Sequence, residues 1–104
     1  IKAGVNFLEF AEQSWKLPDN CYDNHYPCII HGVGLCDEWP FVAYPNKDFS
    51  NSDYSACFEE NMTICVESYI GEVGGKEGIK LEDQFLVTKD GLKQLSSFPY
   101  EYSN

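Results

Sequence analysis

Two segments, MTICVESYI (62–70) and IKLEDQFLVT (79–88), alternate in polarity with a period of two and are joined by the glycine-rich GEVGGKEG. This feature constrains the fold most, because only extended strands put every second side chain on one face. In the first segment Ile64, Val66, Ser68 and Ile70 share one face, and Thr63, Cys65, Glu67 and Tyr69 share the other. In the second, Ile79, Leu81, Asp83, Phe85 and Val87 oppose Lys80, Glu82, Gln84, Leu86 and Thr88. Lys89-Asp90-Gly91 reads as a hairpin turn into LKQLS, which adds a further strand. CIIHGVGL (28–35) has the β-branched run of a buried strand.

Upstream, VNFLEFAEQSWKLP reads as an amphipathic helix. Asn6 is its N-cap, Glu9 completes a capping box, Val5 staples against Phe10, and Pro18 marks the end. DNCYDNHYP is a loop by composition, and the polar stretch YPNKDFSNSDYSA is an exposed loop or insertion. One helix followed by a curved, mostly antiparallel sheet gives an α+β class without internal repeat.

Composition narrows the partners. The chain has 104 residues and a formal net charge of −10, from 17 acidic against 7 basic residues. Neutralising a phosphate backbone requires Lys and Arg, so nucleic acid is not an expected partner. Apolar runs fall well short of the ~20 residues that span a bilayer, so no membrane segment is expected. The five cysteines, Cys21, Cys28, Cys36, Cys57 and Cys65, are an odd number without a C-x-x-C pair. Free, mostly buried thiols in a reducing cytoplasm are the expectation.

An acid inside a strand is disfavoured unless it points to solvent or to a partner. Glu67 and Glu82 both occupy such positions, and His31 lies on a third strand. One imidazole and two carboxylates from three strands of one sheet suit a divalent metal with nitrogen and oxygen ligands. The same pattern also fits a satisfied core histidine with two glutamates on the wet face of the sheet. Gly32 and Gly34 mark either a close backbone approach or a bulge. His25 is read as a loop residue without chemistry.

HGVGLCDEWP together with MTICVESYIGEVGGKEGIKLEDQFLVTKDGLKQLS resembles the C-terminal half of the catalytic domain of the pita-bread metallopeptidase family, which includes Xaa-Pro aminopeptidase, prolidase, methionine aminopeptidase and creatinase. The likeness runs from Val5 through Leu95. It implies that His31, Glu67 and Glu82 are metal ligands, with Glu82 bridging two divalent ions of manganese, iron, cobalt or zinc. The family's remaining ligands are two aspartates on an upstream strand pair, and nothing before His31 resembles that segment. The resemblance therefore implies that residues 1–104 are the second part of a pita-bread domain whose upstream half lies elsewhere in the protein. Relatives of this type commonly dimerise, so the resemblance leaves room for a homodimer, and a cytoplasmic location is expected.

The activity implied by the family is Xaa-Pro peptide hydrolysis on a small or short-peptide substrate. Xaa-Pro peptidases, however, usually carry a second histidine in a G-[IL]-x-[VL]-H-[DE] context, where this chain reads GLCDEWP. That stretch resembles instead the metal-dependent dimethylsulfoniopropionate lyase branch, in which an aspartate after H-G-V-G-L-C is the base. Asp37 holds that position here. Trp39, Phe41 and Tyr44 offer an aromatic wall for a sulfonium, or else simply belong to the core. A pita-bread domain without catalysis, kept as a binding module, is the alternative of a different class.

Overall fold

The computed structural model describes residues 1–45 and 54–101. Most of the polar stretch read as an exposed loop, residues 46–53, lies outside the described residues. Helix α1 spans Phe7–Gln13, and a 3-10 helix spans Asp19–Asn24. The strands are β1 (Ile30–Val33), β2 (Asp37–Val42), β3 (Thr63–Ile70), β4 (Ile79–Val87) and β5 (Leu92–Gln94). They form one sheet in the order β2-β1-β3-β4-β5, antiparallel at every pair. The α+β expectation holds in class and in element order.

Helix α1 starts where its sequence says it should. The Asn6 side chain accepts from the amides of Leu8 and Glu9, satisfying two donors that the first turn leaves free. The capping box is not closed as expected: Glu9 Oε1 accepts from Gln13 Nε2 at 3.4 Å. The helix ends at Gln13, and Ser14 Oγ donates to the Ala11 carbonyl at 2.7 Å.

Phe7 and Ala11 are the buried positions of the helix and belong to a core with Leu17, Tyr22, Ile29, Ile30, Val42, Tyr44, Phe58, Ile64 and Val87. The register explains which strand residues join them. Ile30 pairs with both Val42 and Val66, so these three share a face. Ile64 pairs with Phe85 on the same face. The opposite face carries His31, which pairs with Phe41 and Cys65. It also carries Glu67, which pairs with Glu82. One face of the sheet thus makes the core, and the other gathers polar and titratable groups.

The helix thus stops short of Pro18, its expected end, and two further features depart from the sequence reading. The segment DNCYDN, read as loop, forms the 3-10 helix and buries Cys21 and Tyr22. The acidic stretch after Cys36 is β2, whose strand character is hidden by the adjacent acids and by Pro40, a residue that strands tolerate at a sheet edge. The register of β1 against β2 slips between His31 and Gly32, which makes a bulge. A β-carbon on Gly32 would lie 2.1 Å from the Trp39 carbonyl oxygen, so only glycine allows the two backbones to approach this closely.

Candidate metal centre

Antiparallel pairing sets the geometry of this site. Glu67 on β3 and Glu82 on β4 are directly opposed, an arrangement that destabilises a sheet when both carboxylates are charged. Glu67 is only 2% exposed, where an unpaired charge is strongly disfavoured. A basic side chain stands on each flank. His31 Nε2 lies 3.0 Å from Glu67 Oε1 and 3.5 Å from Glu82 Oε1. Lys80 Nζ lies 2.7 Å from Glu67 Oε2 and 3.2 Å from Glu82 Oε2. Each carboxylate thus turns one oxygen to the imidazole and the other to the ammonium.

The histidine is oriented by its own backbone. Nδ1 lies 3.0 Å from the Gly32 carbonyl oxygen, which can only accept, so Nδ1 carries the proton in that bond. Nε2 is left facing two carboxylate oxygens. A bare lone pair at 3.0 Å from an anionic oxygen is repulsive, so the pair needs a second proton or a cation between them. Glu67 Oε2 is buried and has no aligned hydrogen-bond donor, only the Lys80 ammonium nearby. One imidazole nitrogen, two converging carboxylates and an underused buried oxygen fit a borderline divalent ion.

Two cysteines that carry no signal in the sequence beyond that of bland thiols adjoin this centre. Cys28 Sγ donates toward Glu67 Oε1 at 3.9 Å, and burial ahead of the Glu67 charge pushes its thiol up to about 12. Burial also pushes Cys65 up to about 12, with its hydrogen bond to Glu82 adding to the effect. Ligand atoms of Cys65, His31 and Glu82 all lie within 4.8 Å of one another. For Glu82, burial raises the carboxyl, but the Cys65 thiol, the Lys80 ammonium and His31 outweigh it and hold the group below its usual range. Glu67 raises Lys80 above its ordinary value, against the opposing effect of burial and with help from Glu82. Lys80 is a member of the site that sequence reasoning misses; its place two residues before Glu82, on the same strand face, is the signal that could have found it.

Beside this candidate centre lies a cavity of about 270 Å³ lined by Tyr26, Pro27, Cys28, His31, Asp37, Glu38, Trp39 and Phe41. Asp37 Oδ1 stands 3.7 Å from His31 Nδ1, with its side chain 74% exposed. Glu38, the neighbouring acid, is committed elsewhere: its Oε1 accepts from the Leu35 amide at 3.2 Å and closes the turn between β1 and β2. The expected aromatic wall is corrected at one position. Trp39 and Phe41 line the cavity, but Tyr44 is 1% exposed and sits in the core. Tyr26 takes its place, with its ring 4.3 Å from Lys80 Nζ. His25 packs between the rings of Tyr22 and Tyr44, away from this cavity.

The family model for metallopeptidase family M24 matches residues 1–89. The chain is 46% identical over 101 residues to the dimethylsulfoniopropionate lyase DddP of Roseovarius nubinhibens, covering 97% of this chain and 22% of that protein. It is 44% identical over 101 residues to the lyase of the same name from Roseobacter denitrificans, with the same coverage of 97% and 22%. The Xaa-Pro dipeptidase of Pyrococcus horikoshii is 36% identical over 78 residues, 72% of this chain and 18% of that protein. Among solved structures, the X-Pro aminopeptidase of Thermotoga maritima MSB8 superposes with a TM-score of 0.61 at 24% identity, over 94% of this chain and 26% of that one. The chain therefore spans about a fifth of the length of the curated relatives it matches.

Proposed function

The chain belongs to metallopeptidase family M24, and on that premise we propose that it forms the base-bearing part of a metal-dependent lyase acting on a sulfonium carboxylate such as dimethylsulfoniopropionate. One observation carries this reading: Asp37 is an exposed carboxylate beside His31, in an aromatic-lined cavity whose lining, among the described residues, includes no second histidine. Both lyase relatives match across 97% of the chain, which supports the same choice.

His31, Glu67 and Glu82 are the residues that would hold a divalent ion, with further ligands expected from two upstream aspartates. When bound, the ion supplies a Lewis acid that stabilises negative charge on the substrate carboxylate. Asp37 removes the proton from the carbon next to that carboxylate. The freed electron pair becomes the carbon–carbon double bond, and the carbon–sulfur bond breaks. The sulfide leaves neutral with the bonding electrons, so no acid is required of the protein. Asp37 then releases its proton through its exposed edge. The faces of Tyr26, Trp39 and Phe41 attract the sulfonium cation and orient it.

The similarity to a Xaa-Pro dipeptidase favours a second reading, hydrolysis of an amide at the same centre. The experiment offers the full-length protein, loaded with manganese or iron, both dimethylsulfoniopropionate and a Xaa-Pro dipeptide, and records headspace dimethyl sulfide and free proline together. Dimethyl sulfide without proline is the expected result. Proline without dimethyl sulfide would assign the protein to the hydrolases, and neither product, with no metal retained, would leave a binding module.

A further inference from the structure

Asp37 follows a turn, residues 34–36, in which Gly34, Leu35 and Cys36 are all exposed, so side-chain burial does little to hold it. Two hydrogen bonds close the turn. The Gly34 amide donates to the Cys36 carbonyl at 3.1 Å, and the Leu35 amide donates to Glu38 Oε1 at 3.2 Å. A β-carbon on Gly34 would lie 2.3 Å from Glu38 Oε2 and 2.5 Å from its carboxyl carbon, so the carboxylate occupies the space that this glycine leaves open. The two glycines of HGVG therefore admit two successive parts of β2: Gly32 the Trp39 carbonyl, and Gly34 the Glu38 side chain.

We propose that Glu38 is the positioning residue for Asp37: its carboxylate, seated over Gly34 and bound to the Leu35 amide, fixes the turn between β1 and β2 so that Asp37 stays beside His31. The inference rests on the lyase reading above and adds to it the group that aims the base. Asp37 pairs with Val33 and Glu38 with Gly32, so the two acids are consecutive on β2 and a shift of one carries the other. Misplacing a reacting group by ~1 Å costs up to about 10²-fold in rate. The bond to Leu35 needs an acceptor oxygen and not a charge, so the amide oxygen of a glutamine can replace the carboxylate.

The test measures kcat and KM for dimethyl sulfide release from dimethylsulfoniopropionate by the full-length, metal-loaded protein. Hydrogen–deuterium exchange at the Leu35 amide is read alongside by mass spectrometry. Glu38→Ala should lower kcat by roughly 10–100-fold with KM and bound metal unchanged. It should also speed exchange at Leu35 by roughly 2–10-fold, the protection one hydrogen bond gives. Glu38→Gln should keep both values near wild type. Gly34→Ala retains Glu38 but pushes its flexible carboxylate off the turn, and should reproduce the Glu38→Ala result should the latter protein not fold. Faster exchange with wild-type kcat, unchanged exchange at Leu35, or a Glu38→Gln protein as slow as Glu38→Ala each overturns the inference alone. A wild type that releases no dimethyl sulfide overturns it together with the lyase reading.

Discussion

At the scale of single residues, the site is governed by two directly opposed carboxylates, Glu67 buried and Glu82 more exposed, that share the same two basic neighbours. His31 and Lys80 each touch both Glu67 and Glu82, so removal of either acid leaves a neighbour short of its counter-charge. Glu67→Ala is expected to destabilise the metal-free protein by about 3 kcal/mol, the lower part of the range for breaking a buried pair, since Lys80 retains solvent access. Urea unfolding checks this, and a loss under about 1 kcal/mol would mean that the charge network contributes little. Thiol reactivity follows from the same map. Cys28 and Cys65 are buried with pKa values pushed up to about 12, so they stay protonated and inert at neutral pH, whereas Cys36 is exposed. Brief iodoacetamide treatment of the native protein should label Cys36 first, by peptide mass spectrometry; early labelling of Cys28 would contradict the burial described.

At the scale of elements, what positions the site is strand register. The alternation of β3 and β4 is legible in the sequence because each runs eight or nine residues with few breaks, and the amino-acid order by itself assigns Glu67 and Glu82 to the faces they occupy. Their direct opposition is not legible, since register depends on the loop between them and on pairing partners distant in sequence. Strand β2 is hidden for a different reason: Asp37, Glu38 and Pro40 are poor strand formers locally, and pairing with β1 overrides that preference. Tyr44 joins the core and not the cavity wall because alternation cannot be carried past the end of a strand, here Val42. The bulge at Gly32 is the tightest constraint in this region. Gly32→Ala should cost about 1–3 kcal/mol, the usual range for forced overpacking, and should displace His31 from the two carboxylates. Equilibrium unfolding combined with metal affinity tests this, and an alanine variant with wild-type values in both would show that β2 can move away freely.

At the scale of the molecule, the chain presents a finished core on one face of its sheet and a charged, cavity-flanked centre on the other. Family M24 membership accounts for this division, and the pita-bread fold supplies the helix and antiparallel sheet seen here. Large apolar side chains remain exposed at the start of β4 and after β5, with Ile79 63% and Phe98 83% exposed. Nearby, Asp83 accepts hydrogen bonds from the hydroxyls of Ser96 and Tyr100, which fasten the last described residues to β4 and hold that carboxyl below its usual range. A ligand that binds only the folded state stabilises it by mass action, by about 2.7 kcal/mol at a hundredfold excess over its dissociation constant. Chelation of the full-length protein should therefore lower its melting temperature, and readdition of manganese should restore it. The proposed reaction stands or falls on Asp37 acting as the base of a carbon–sulfur elimination. The most direct measurement is dimethyl sulfide release by the metal-loaded Asp37→Asn protein, with bound metal quantified on the same sample. A loss of about 10²–10⁴-fold in rate at unchanged metal content is the predicted result, the usual contribution of a positioned base. Release at the wild-type rate would contradict that role and leave Asp37 an acid at the rim of the cavity.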